Sequence, residues 1–261
     1  MGSTPWKAAI VTGAASGIGR CFAETLARRG VAVGLVDVSA EGLGVTAEAI
    51  RTAGGRAESR VADVSAANEV AAAVEEFCAA LGGIDLVVHC AAILGPGQFA
   101  DQTAEQFDRV VQINLLGTAN VLRASLPALA HSKGAVACLV SASAMHGWPA
   151  LGAYSASKFG VSGLCDAIRP ELARARVTLT AVYPLLIDTP LLRAGDVPRI
   201  LRHGRRLPPE TVVAKTLAGV AAGRARVFIP DSVRVLAALH GLGPSVLDWY
   251  GRRFGLRRSE H

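Results

Sequence analysis

The chain has 261 residues, 51% of them apolar, 18% charged and 5% aromatic, with a formal charge of +6. It is too apolar for a disordered chain and has ample material for one sizeable core, yet no run of 18 apolar residues exists to span a bilayer. Nine of the arginines fall in two clusters, 193–206 and 252–258, with no nucleic-acid recognition motif around them, so nucleic acid is excluded as a partner. The clusters read as solvated surface first, and otherwise as a site for an anionic substrate or a peripheral membrane contact, which is the less favoured. The five cysteines, Cys21, Cys78, Cys90, Cys138 and Cys165, are scattered, with no C-x-x-C pair and no histidine at ligand spacing. They point to reduced, buried thiols, no bound metal and a cytoplasmic protein without a cleaved leader.

In chain order, short β-branched runs alternate with helical stretches. Ala8–Val11, Ala32–Val36, Ala57–Val61, Leu86–Cys90, Val136–Val140, Thr178–Val182 and Arg226–Ile229 read as seven strands. Between them Gly17–Arg29, Ala40–Ala53, Ala66–Leu81, Ala104–Ala130 and Tyr154–Ala175 carry apolar residues at helical spacing. Such alternation predicts an α/β fold, one doubly wound parallel sheet with helices on both faces, in a single domain over residues 1–261. The segment 191–209 breaks the rhythm with Gly, Pro and arginines and reads as a substrate lid over the ligand crevice. Residues 231–261 read as an apolar, arginine-ended tail that caps the core or an interface, or helps to wall a pocket.

Residues 12–19, Thr-Gly-Ala-Ala-Ser-Gly-Ile-Gly, follow the first strand and open the first helix. Glycines there allow a tight turn and let backbone N–H groups approach a pyrophosphate, which places Gly13, Ser16, Gly17, Ile18 and Gly19 at a dinucleotide. Asp37, 18 residues past Gly19 at the end of the second strand, is placed to accept from both ribose hydroxyls. It would repel a 2′-phosphate, and Val38 supplies no cation, so NAD is favoured over NADP. Asp63 and Val64 end the third strand, either facing the adenine or simply capping a helix.

The Thr-Gly-x-x-x-Gly-x-Gly spacing resembles that of the short-chain dehydrogenase/reductase family, and the resemblance extends from residue 7 to about residue 230. Its strongest local mark is Tyr154-Ser-Ala-Ser-Lys158, which puts a phenol and an ammonium one helical turn apart on one face. A neighbouring ammonium favours phenolate, so the pair suits proton exchange with an alcohol or a nascent alkoxide. The resemblance implies that Ser141 orients the substrate oxygen, with Ser143 as the rival, and that Lys158 also holds the nicotinamide ribose. It implies that Asn114 ties Lys158 to a water in a proton relay. Ala91, Ile187 and Thr189 join the cofactor contacts in the same way, the last two at carboxamide and phosphates.

Three places depart from the family pattern. The usual Asn-Asn-Ala-Gly is His89-Cys90-Ala91-Ala92, the usual Pro-Gly is Pro184-Leu185, and no Asp-Gly-Gly ending is present. His89 reads as a satisfied core histidine; His146 reads either as core or as a substrate contact at the pocket mouth. The expected activity is NAD-dependent interconversion of a secondary alcohol and a ketone of a small, largely apolar metabolite. The alternatives are a 3-ketoacyl thioester reductase and a non-catalytic NAD-binding protein. Apolar residues on more than one face of helices 104–130 and 154–175, with the family resemblance, imply a homo-oligomer, a tetramer before a dimer.

Overall fold

A parallel strand covered on both faces needs an unbroken apolar run. In the computed structural model, which describes residues 4–192 and 206–235, the first strand β1 (Ala8–Thr12) has all five residues buried. Its alternate side chains enter two cores: Ala9 and Val11 pack with Phe22, Leu26 and Ile50, while Ile10 packs with Phe77, Val121 and Leu129. Six strands follow: β2 (Ala32–Asp37), β3 (Ala57–Val61), β4 (Leu86–His89), β5 (Ala135–Leu139), β6 (Thr178–Pro184) and β7 (Arg226–Ile229). All pair in parallel, in the order β3-β2-β1-β4-β5-β6-β7.

The helices are α1 (Gly17–Arg28), α2 (Ala40–Thr52), α3 (Ala67–Leu81), α4 (Ala104–Val111), α5 (Gly117–Ser132), α6 (Gly152–Arg174) and α7 (Pro209–Ala221). Helices α1, α2 and α7 cover one face of the sheet, and α3, α5 and α6 cover the other. This is the expected single-domain, doubly wound, Rossmann-type α/β fold. Strand order reverses between β1 and β4, and a sheet of this kind opens a crevice at that point, beyond the carboxyl ends of its strands.

Two elements differ from the expectation. The helix expected over 104–130 is interrupted by a π turn, Gln112–Leu116, between α4 and α5. One extra residue in a turn leaves apolar spacing almost unchanged, so periodicity does not reveal it. Helix α7 is not anticipated at all. Its signals are nonetheless present: Pro209 in the first turn, then Val212, Val213, Thr216, Leu217 and Val220 buried at helical spacing. Most of the lid expected over 191–209, and residues 236–261 of the tail, lie outside the described residues. No described helix is long and apolar enough to cross a membrane.

Candidate functional site

The crevice begins at the turn leaving β1. Gly13 has φ +67°, and a Cβ there would lie 2.9 Å from the backbone nitrogen of Ala91, so this turn and the exit of β4 meet backbone to backbone. In α1, a Cβ on Gly19 would lie 2.0 Å from the Gly13 carbonyl oxygen, which only glycine avoids. Ser16 is the N-cap of α1 but makes no side-chain cap bond, and no acid sits in the first turn. The first amides of this helix are therefore left to whatever occupies the crevice, an arrangement suited to an anion. Asp37 braces the turn: its carboxylate accepts from the N–H of Ala15 and of Ser39, both at 3.1 Å.

These groups line a cleft of about 340 Å³ together with Val38, Asp63, Val64, Ala91, Arg109, Ile113 and Thr189. The structure thus gathers Gly13, Ser16, Gly17, Ile18, Gly19, Asp37, Asp63, Val64, Ala91 and Thr189 in one place. Asp63 is not a helix cap, since Ala66 holds that position on α3. One of its oxygens takes the N–H and hydroxyl of Ser65 at 2.9 and 2.7 Å; the other pairs with Arg109 at 3.2 Å. Burial raises the Asp63 carboxyl, but the Ser65 bonds and the Arg109 guanidinium carry it below the ordinary value. The sequence reading misses Arg109, because only the fold brings it to a residue 46 positions away.

A second cavity of about 80 Å³ shares Ile18, Thr189 and Leu191 with the cleft. Ser141, Ser143, Tyr154 and Ile187 line it, with leucines 94, 151, 185, 186 and 192 as apolar wall. Leu185, in the place of the usual glycine, is 37% exposed and forms part of that wall, its N–H anchored to the Ile229 carbonyl. Of the two serines, Ser141 hydrogen-bonds Tyr154, and its oxygen also accepts from the Ser143 N–H at 3.0 Å. His146 is buried edge-on against Trp148 and lines neither cavity.

Lys158 and Asn114 lie behind these walls, 3% and 0% exposed. The Asn114 carboxamide accepts from the Ile93 N–H and donates to the Ile93 carbonyl, both at 2.9 Å, and to Ser157 Oγ at 3.0 Å. Ser157 in turn donates to the Tyr154 carbonyl at 2.7 Å, so Asn114 joins the exit of β4 to the helix that carries the tyrosine. The role of Ser157 is another that the sequence reading misses.

Electrostatics within the pair differ from the sequence expectation. Burial pushes the Tyr154 phenol up, and the opposing pull comes from the Ser141 hydrogen bond, with no lowering from Lys158. Lys158 Nζ donates to the Leu139 carbonyl at 2.9 Å and stands 5.7 Å from the Tyr154 ring centroid, over the ring. Burial brings Lys158 itself down to about 8, with the neighbouring thiols opposing the fall.

His89 is only half satisfied, which corrects its reading as a fully partnered core residue. The N–H groups of Cys90 and Ala91 both approach the Thr12 hydroxyl oxygen at 3.2 Å and occupy its lone pairs. The hydroxyl proton is then left for His89 Nδ1 at 2.8 Å, and the neutral ring carries its own proton on Nε2. That nitrogen is buried without a hydrogen-bond partner among the described residues. Burial and the nearby Lys158 ammonium push His89 down to about 3. All five cysteines are free; Cys138 and Cys165 are buried as expected, whereas Cys21, Cys78 and Cys90 are only half-buried.

Known proteins share this architecture. The family model for short chain dehydrogenases matches residues 7–196. An uncharacterized NAD-dependent oxidoreductase of Mycobacterium tuberculosis is 31% identical over 206 residues, 73% of this chain and 75% of its own. SadH of the same organism, named as an oxidoreductase, is 30% identical across 92% of this chain and 93% of its own length. Among solved structures, levodione reductase has a TM-score of 0.80 at 29% identity, covering 88% of this chain and 98% of that one. A short chain dehydrogenase/reductase of Burkholderia phymatum in complex with NAD shares the fold, with a TM-score of 0.86 at 23% identity over 95% and 97% of the two chains. With the glycine turn, the parallel sheet and the tyrosine helix in their places, this chain belongs to the short-chain dehydrogenase/reductase family of oxidoreductases.

Proposed function

We propose that this protein interconverts a secondary alcohol and a ketone of a small, largely apolar metabolite, with NAD as the hydride carrier and Tyr154 as acid/base. The observation that carries the reading is the Ser141–Tyr154 hydroxyl pair in an apolar cavity that shares Ile18, Thr189 and Leu191 with the glycine-turn cleft. The cleft fits a dinucleotide through its uncapped helix N-terminus and the glycine approach at Gly13. Gly13, Ser16, Gly17, Ile18, Gly19 and Ala91 would hold the pyrophosphate region, Asp37 the ribose hydroxyls, and Asp63 and Val64 the adenine end. Lys158, Ile187 and Thr189 would serve the nicotinamide end. When bound, the nicotinamide supplies or accepts the hydride.

In this scheme the Ser141 hydroxyl orients the substrate oxygen. Tyr154 holds its proton at neutral pH, donates it to the nascent alkoxide during reduction and takes it back during oxidation. Lys158 steadies the ring from the buried side, and Asn114 fixes the tyrosine helix through Ser157. The leucine walls favour an apolar substrate, and Asp37 beside Val38 favours NAD over NADP. A panel of apolar secondary alcohols and ketones, followed by nicotinamide absorbance, tests the reading; turnover of none with either cofactor contradicts it.

The working unit is proposed to be a homo-oligomer, a tetramer before a dimer. Leu116 and Phe159, 51% and 40% exposed on the π turn and the neighbouring α6, support this. A monomer by light scattering at micromolar concentration contradicts it.

A further inference from the structure

We infer that Arg109 closes the adenine end of the cleft, with its guanidinium laid against the base and held in place by Asp63. This rests on the dinucleotide reading proposed above. The cleft follows the strand ends in sheet order: Asp63 and Val64 beyond β3, Asp37 and Val38 at β2, the glycine turn after β1, Ala91 after β4. With a pyrophosphate at the N-terminus of α1 and a ribose at Asp37, the base falls one strand further out, over β3. The walls there are Val38, Val64 and Ile113, apolar surfaces suited to the face of a flat ring. Val38 is 62% exposed, so its side chain is open to contact with a ring in the cleft.

Arg109 reaches this end from α4 and lines the cleft with Val38 and Val64. Both oxygens of Asp63 are engaged, one by Ser65 and one by Arg109, and the Asp63 N–H donates to Glu69 at 2.9 Å. Asp63 is therefore a fixed anchor for the guanidinium. The side chains of the pair are 55% and 26% exposed, and an ion pair so open to solvent adds little to folding stability. Its use lies in aim: one guanidinium nitrogen is tied to Asp63 while the side chain lines the cleft, where arginine stacks on aromatic rings and lysine does not do so equally.

The test is titration of the full chain with NADH by nicotinamide fluorescence, and displacement of NADH by AMP, which carries only the adenine half. Arg109→Gln is expected to weaken NADH and AMP alike, by about five- to tenfold, with an unchanged melting midpoint. Arg109→Lys keeps a cation beside Asp63 without the flat face and should lose nearly as much. Unchanged NADH affinity in Arg109→Gln overturns the inference, as does full rescue by lysine, a loss confined to NADH, or a wild-type protein from which AMP displaces nothing. A wild-type protein that binds no NADH overturns the dinucleotide reading itself, and this inference with it.

Discussion

At the β1–α1 end of the cleft the polar surface is largely backbone: helix amides left uncapped by Ser16, a glycine at φ +67°, and a carboxylate that braces the turn by accepting two N–H groups. At the β5–α6 end it is side chain, and nearly all of it is buried: Ser141, Tyr154, Ser157, Lys158, Asn114 and, behind them, His89. The first kind of surface recognises by shape and dipole and needs residues close together in sequence. The second is a network drawn from β1, β4, β5, the π turn and α6, in which Ser141 acts on the Tyr154 phenol and Lys158 on the His89 ring. On the proposed reading, one end holds a charged, invariant ligand and the other keeps a proton in a fixed place.

Perturbing the group that the proposal assigns to both ends should have the largest effect. Lys158→Ala is expected to lower turnover by about a hundredfold and to weaken cofactor binding as well, measured by absorbance and fluorescence titration. Loss of rate with cofactor affinity unchanged would restrict Lys158 to the chemical end.

The next effect concerns the buried network alone. His89 is neutral in the fold down to about 3 but takes a proton near 6.5 when unfolded, so the unfolded state binds more protons between those values. Stability is fully present above 6.5 and is lost as pH falls through that window, by about 2 kcal/mol between pH 7 and pH 5. Urea unfolding at the two pH values should show this loss, and His89→Asn should remove it. An equal loss in the variant would free His89 from the account.

The smallest effect should sit at the backbone-built end. NAD is expected to bind at least about tenfold more tightly than NADP, and Asp37→Ala should narrow that gap without altering the tyrosine chemistry. Equal affinities in the wild-type protein would remove Asp37 from cofactor selection.

The two ends also differ in how far they were legible before the structure. The seven strands and the glycine turn stand out because buried parallel strands are apolar runs and a tight backbone approach demands glycine at Gly13 and Gly19. Tyr154 and Lys158 stand out because one helical turn relates them. What spacing does not carry is the direction of a side chain. Lys158 points to the Leu139 carbonyl, so burial and Ser141 govern the tyrosine, against expectation. The π turn at Asn114 and the Arg109–Asp63 pair arise from topology, which joins residues far apart in the chain. Helix α7 is a different case: its proline start and its periodicity were available in the sequence, hidden only by the irregular segment before it.

The central claim is that Tyr154 moves the proton while the cleft independently holds the cofactor. Tyr154→Phe tests it most directly, since the ring and the helix stay and only the hydroxyl goes. NADH affinity by fluorescence titration should change less than about twofold, while turnover of any alcohol or ketone accepted by the wild-type protein falls by about a hundredfold or more. Near-normal turnover in that variant would contradict the account.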